Sequence, residues 1–145
     1  MKIAIAAFGA VALLSTPVMA ADDTPDFDKG PVWEIGQIKT VDGHFDDYMK
    51  WLSTEWKAQE EALKKAGRIL DYKVFVVTDP RNGEPDILLA TLYKGAAEFD
   101  RPTADEYAMQ AKISGSIPKA DQEQAARSSI RTVQGTVLLR EITLK

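Results

Sequence analysis

The 145-residue chain contains no cysteine. That excludes thiol nucleophiles, thiolate metal sites, iron–sulfur clusters, disulfides and lipid attachment through a thiol. It has a single histidine, His44, which excludes a His-rich metal cage and any relay that needs two imidazoles. Basic residues are outnumbered, 18 Lys and Arg against 22 Asp and Glu, for a net charge of -4. An acidic balance argues against nonspecific nucleic-acid binding, which draws on basic patches. Phosphate-cradling glycine motifs and the G-x-S-x-G elbow are missing. Asp22, Asp23, Asp26 and Asp28 lack the glycine and terminal Glu spacing of a calcium loop. No pair of carboxylates carries a catalytic motif. These absences predict no catalytic residue by motif, no metal site and no cofactor.

The sequence does have enough apolar content for a core, 45% hydrophobic, and a length suited to one domain. Its first twenty residues stand apart. Lys2 is the only charge before Asp22, residues 3–14 are apolar, and Ser15-Thr16-Pro17 breaks the run. The apolar stretch is shorter than the ~20 residues that span a bilayer. Val18-Met19-Ala20 places small residues where a signal peptidase cuts, so residues 1–20 read as a secretory signal peptide. Cleavage removes Lys2 and leaves 17 basic against 22 acidic residues, a net charge of -5. The expectation is a periplasmic or secreted protein with no stable membrane insertion after cleavage.

Residues 21–30 are acidic with Pro and Gly and read as a flexible lead-in. A single domain is expected over residues 31–145. Strands are predicted at 32–40, 69–78, 86–94 and 132–144 from β-branched and aromatic content. Residues 44–66 form the clearest element, a helix with Phe45, Met49, Leu52, Trp56 and Leu63 near a 3.6-residue period. Gly67 stops it. Thr103 and Glu106 match a capping box at the start of a helix over 103–114. A further helix is predicted over 119–130, with Pro118 tolerated near its start. The order is βαββαβ, an α+β ferredoxin-like arrangement with an extra helical segment before the last strand. Right-handed crossovers predict an antiparallel sheet in the order 4-1-3-2, with helices on one face.

The strands do not alternate cleanly between apolar and polar. Phe75 opposes Tyr72 and Val74; Leu88 and Leu92 oppose Ile87 and Leu89; Leu138 opposes Val137 and Leu139. Helices cover one face, and a second apolar face exposed to water is a partner or ligand surface. An identical chain packed sheet to sheet would bury it, which predicts a homodimer. The alternative is that residues 95–131 fold across that face.

The run Val32-Trp33-Glu34-Ile35 into Val41-Asp42-Gly43, then Phe45-Asp46-Asp47-Tyr48, resembles the dimeric α/β-barrel superfamily of ferredoxin-like proteins. Ile130-Arg131, Gly135 and Leu139-Arg140-Glu141-Ile142 are similar to small exported bacterial members of unassigned activity. The resemblance spans residues 31–145. It implies a dimeric barrel that binds a small apolar or aromatic ligand or acts without catalysis. Two other roles remain open: a cofactor-independent monooxygenase- or isomerase-like enzyme on an aromatic or polyketide-like substrate, and a structural partner in an envelope complex.

Candidate pocket residues are Trp33, Glu34, Trp51, Tyr72, Arg131 and Arg140. Trp51 lies off the main helical stripe, among Tyr48, Glu55 and Trp56, and those aromatics equally suit a core boundary. Glu34, Lys73, Arg140 and Glu141 are charges inside strands, where they face solvent, pair across the sheet or line a pocket. The first and last strands are neighbours in the expected order, so Glu34 and Arg140 are candidates to meet. Arg131 precedes the last strand, either closing a pocket mouth or complementing a helix C-terminus. His44 reads as an exposed residue at a helix start.

Overall fold

The computed structural model describes residues 24–145. The expected signal segment lies outside the described residues. The chain runs through β1 (Phe27–Thr40), α1 (Phe45–Trp51), a π-helical turn (Leu52–Trp56) and α2 (Lys57–Lys65). It continues through β2 (Asp71–Val76), β3 (Ile87–Tyr93) and a 3-10 turn (Ala96–Asp100). Next come α3 (Thr103–Ser114), α4 (Ile117–Ala126), a second 3-10 turn (Arg127–Ser129) and β4 (Arg131–Leu144). The four strands form one sheet in the order β2-β3-β1-β4, and every neighbouring pair is antiparallel. Read from the other edge this is the order expected from sequence, and it is the ferredoxin-like α+β arrangement.

Three local features differ from the sequence pattern. First, β1 begins at Phe27, five residues before the expected start. Phe27 and Lys29 pair with Leu144 and Ile142, and the register then shifts between Lys29 and Val32. Pro31 lacks an N–H and interrupts the alternation, which is how a bulge hides a strand from periodicity. Gly30 sits inside this bulge, where a Cβ would lie 3.2 Å from Glu141 Cβ. Second, the expected capping box does not form. Pro102 occupies the N-cap, so Thr103 is already helical and its hydroxyl makes no cap bond. The side-chain cap belongs to α4, where Ser116 Oγ accepts from Lys119 N at 3.3 Å. Third, the last helix closes at Ala126 and tightens into the 3-10 turn before β4.

All the helical segments lie on one face of the sheet. Arg127, from the second 3-10 turn, lies over the Trp51 ring of α1 at 4.3 Å. Residues 95–131 therefore do not cross the second face.

The core is built around Ile38, Tyr48, Leu52, Trp56 and Ile87, with Val74, Leu89 and Ile130 packed against it. Tyr48, Leu52, Trp56 and Glu60 are the buried residues of the long helix. The buried stripe thus runs at a strict spacing of four rather than along Phe45, Met49 and Leu63. Four residues overrun a 3.6-residue turn by about 40° at each step. The wider π turn over Leu52–Trp56 absorbs that drift. Ser53 Oγ and Thr54 Oγ1 both bond back to the Lys50 carbonyl, at 2.8 and 3.0 Å. Such hydroxyls compete with the backbone ladder and favour its local widening.

The opposite face carries no helix. Trp33, Ile35, Leu88 and Leu92 are half-buried there, while Phe75, Val137 and Leu139 are exposed. Phe75 is 48% and Leu139 52% accessible. This matches the two-faced apolar reading of the strands.

Ile87 is fully buried at the centre of the helix-facing layer. Ile87→Ala is expected to cost about 2–5 kcal/mol through lost transfer energy and a residual cavity. Urea unfolding of the variant checks this through its midpoint.

Candidate functional site

The four-residue helical spacing carries a carboxylate into the interior. Glu60 follows Tyr48, Leu52 and Trp56 on the stripe and is only 7% exposed. Its side chain accepts one hydrogen bond, from Thr91 Oγ1 at 3.3 Å. No Lys or Arg among the described residues compensates it. Burial pushes the Glu60 carboxyl up to about 7, the Thr91 bond offsets part of that, and the nearby Glu34 charge adds to it. A carboxyl held near neutrality is able to exchange a proton under ordinary conditions.

Glu34 reaches the same layer from β1. Glu34 is registered against Thr91 on β3, so both side chains leave the sheet on the helix-facing side. Its Oε2 accepts from the Tyr93 hydroxyl at 3.0 Å. Tyr93 is held well above the usual phenol range, first by burial and then by the Glu34 charge. Its ring contacts Phe99 at 4.8 Å between centroids.

Glu60 and Tyr93 open onto a cavity of about 640 Å³ between α2 and the α3–α4 pair. Gln59 and Leu63 line it from α2, Tyr107, Met109 and Ile113 from α3, and Ala120 and Gln124 from α4. Arg68, Arg101 and Arg127 lie around it. Two of these are already paired, Arg68 with Glu106 at 3.5 Å and Arg101 with Glu98. A second cavity of about 520 Å³ shares Gln59, Met109 and Ile113 with the first and widens the gap between the helices. The cause is visible in α3, which buries none of its residues. A helix without a buried stripe cannot draw α2 and α4 together over the floor.

Arg127, at one end of the cavity, belongs to a second cluster. Tyr48 and Trp51 stack at 5.5 Å with their planes 15° apart. Arg127 lies 4.3 Å over the Trp51 ring and Arg131 lies 5.8 Å over Tyr48. Both guanidinium groups donate through Nη2 to one acceptor, Gln124 Oε1, at 2.7 and 2.9 Å. Arg131 is 7% exposed. The Nε–H groups of both arginines are buried and unpartnered. Burial, and then the like charge of Arg131, lowers the Arg127 pKa. Burial raises the Tyr48 phenol to about 12 against the opposing pull of the two arginines.

The six candidate residues from the sequence are not brought to one place. Arg131 and Trp51 meet in the arginine cluster, and Glu34 lies beneath the cavity beside Tyr93. Trp33 points to the open sheet face, where its Nε1–H donates to Glu141 Oε1 at 2.7 Å and Lys73 lies 5.4 Å over its ring. Tyr72 packs edge-on to Trp56 and donates to Glu61 Oε1 at 2.6 Å. Arg140 is exposed and registered against Val32, while Glu34 faces Leu138. The direct Glu34–Arg140 pairing therefore does not form. His44 caps no helix by its side chain and instead contacts Asp47 at 2.8 Å. Glu60, Tyr93, Gln124 and Arg127 were not singled out from sequence. For Glu60 the signal was present: a carboxylate four residues after Trp56 and eight after Leu52, on the buried stripe.

Among the described residues, no group of three or more His, Asp or Glu side chains is arranged to hold a metal ion. No helix there is long and apolar enough to cross a membrane. No protein-family profile matches the chain, and no curated protein is similar enough to count as a relative. Solved structures do resemble it. HapK from Hahella chejuensis superposes with a TM-score of 0.52 at 14% identity, covering 76% of this chain and 91% of HapK. A nipsnap family protein of unknown function from Agrobacterium tumefaciens gives 0.43 at 14% identity, covering 80% and 88%. PA3566 from Pseudomonas aeruginosa gives 0.39 at 11% identity, covering 80% and 96%. The likeness to HapK concerns the fold, and it agrees with the ferredoxin-like topology.

The raised pKa of Glu60 sets a pH dependence. The protonated form is favoured in the folded state, so the stability contributed by this group is fully present below pH 4.5 and is lost as pH rises through about 7. Glu60→Gln removes this term and keeps the contact to Thr91. The variant is expected to exceed the parent at pH 8 by on the order of 2–3 kcal/mol and to match it near pH 4. Urea unfolding at both pH values checks the crossover.

Proposed function

We propose that the chain is an exported homodimer of the dimeric α/β-barrel type that binds a small, partly aromatic ligand in the cavity over Glu60. The observation that carries this reading is the cavity of about 640 Å³ with a buried, uncompensated carboxylate on its floor. Burying a carboxylate without a cation costs stability, and a protein that packed only for stability would place an apolar residue there. Apolar and aromatic walls with a few convergent polar groups are the usual make-up of a small-molecule site. The lining of Phe99, Tyr93, Met109 and Ile113 suits an aromatic body, and Glu60 suits a ligand hydroxyl or amide.

The composition of the open face supports dimerisation through it. Phe75, Val137 and Leu139 are exposed beside half-buried Ile35, Leu88 and Leu92. A contiguous apolar sheet face of this kind is an association surface. A two-fold pairing of identical faces closes on itself and stops at two chains. Export rests on residues 1–20, with their basic start, short apolar core and small-residue exit.

The state of Glu60 favours a second reading, a cofactor-independent isomerase-like activity. Its carboxylate would take a proton from an acidified C–H of the ligand and return it at another carbon, with no oxidant consumed. Binding is the primary reading because two of the arginines around the cavity, Arg68 and Arg101, are already engaged by Glu106 and Glu98.

Native mass spectrometry of the protein isolated from its own cell envelope tests the proposal. A mass of two chains starting after Ala20, with a retained small molecule, is expected. A bare monomer with its first twenty residues attached would sink it. Leu139→Glu is expected to give a folded monomer by sedimentation, because it places a charge within the apolar face. An unchanged dimer would show that another surface joins the chains.

A further inference from the structure

We propose that Arg127, which lines the cavity, and Arg131, joined to it through the lining residue Gln124, form an anion subsite, so that the ligand is an organic acid whose carboxylate or comparable group is held by the two guanidinium groups. This rests on the ligand-binding reading above and adds the chemical class. Arg131 is more than nine-tenths buried and Arg127 lines the cavity. The two cations share one neutral acceptor, Gln124 Oε1, at 2.7 and 2.9 Å. Neither forms an ion pair among the described residues, and each keeps a buried Nε–H without a partner. Buried arginines are normally matched to a carboxylate or phosphate, whose two oxygens satisfy the planar fork. Here the negative partner is missing, although Glu123 is close enough to act on Arg127 at a distance. The faces of Trp51 and Tyr48 receive the two cations from below but supply no acceptor for the N–H groups.

The charges arranged around the pair come from three elements. Arg127 follows α4, Arg131 opens β4, and Tyr48 belongs to α1. Tyr48 stays neutral at physiological pH, since its phenol is lifted to about 12. Among the described residues, the carboxylate acting on Arg127 is Glu123, from α4, and it is the weakest of the influences on that group. An anion entering between Gln124 and the guanidinium groups would meet two positive charges that share a single neutral acceptor. A neutral ligand of the same shape would leave both cations uncompensated.

The test follows the arginine Nε–Hε resonances by NMR in the full-length chain after signal removal, at constant ionic strength. The probes are sodium sulfate, sodium benzoate and neutral benzamide. Saturable shifts of the Arg127 and Arg131 resonances with sulfate and benzoate are expected, with benzamide leaving them in place. Arg131→Met and Arg127→Gln should each weaken benzoate binding roughly tenfold or more. Arg131→Lys keeps the charge, guards against misfolding, and should retain part of the affinity. Shifts that grow without saturation, and equally at exposed Arg81, would reveal screening alone and overturn the proposal. The cavity is monitored separately through the ring resonances of Tyr93 and Phe99. If benzoate and benzamide both move those rings while the arginines stay still, the cavity binds ligand and the anion subsite fails. If sulfate moves the arginines while no aromatic probe moves the rings, the subsite stands and the cavity reading fails. If no probe moves either set, both fail.

Discussion

The long helix meets the sheet through side chains four residues apart, and the positions of the other parts follow from that spacing. Tyr48, Leu52 and Trp56 fill the space above Ile38 and Ile87. An ordinary α-helix cannot keep that row in line over three steps, so the π turn at Leu52–Trp56 is a condition of the packing. The same row continues to Glu60 and delivers a carboxylate to an interior that offers it only a threonine hydroxyl. Without the π turn, Glu60 would rotate toward α2's exposed side and the cavity floor would lose its charge.

The helical layer divides into a tight half and a loose half. The tight half is the aromatic and aliphatic cluster over β1 and β3. The loose half is α3 and α4, where α3 contributes no buried side chain and leaves a gap against α2. The two charged features sit at the edge of this gap. Glu60 lies beneath it, and Arg127 flanks one end, with Arg131 behind it on the shared Gln124 amide. An acidic group on one side and two guanidinium groups on the other give the cavity a polarity of its own. That polarity would orient a ligand rather than merely enclose it.

The topology was legible because strand content, turn signals and one long amphipathic helix all pointed to βαββαβ. The second apolar face was legible too, since alternate residues of β3 are apolar on both sides. The start of β1 was not, because Pro31 and the bulge at Gly30 break the alternation that marks a strand. The Thr103 capping box failed because Pro102 competed for the cap position. For the candidate site the record is split by register. Arg131 and Trp51 were identifiable as unusual residues, but their meeting with Arg127 and Gln124 depends on how α4 ends. Glu34 and Arg140 were candidates to meet, and the register instead sets Leu138 opposite Glu34, with Arg140 two residues along β4 against Val32. Glu60 was concealed by the assumption of a 3.6-residue period, which makes a residue four after Trp56 look like a flank.

The pairing of β1 with β4 has a consequence for the order in which the molecule can assemble. Trp33 and Glu141, joined across that pairing, are 108 residues apart in the chain. Contacts of such long range close late, since the entropy of the intervening loop must be overcome first. Until residues 131–144 have docked, β1 is an edge strand with one side of its ladder vacant. An open edge of that kind invites pairing with other chains. During its biogenesis the protein therefore depends on its final strand arriving before a neighbour's strand does.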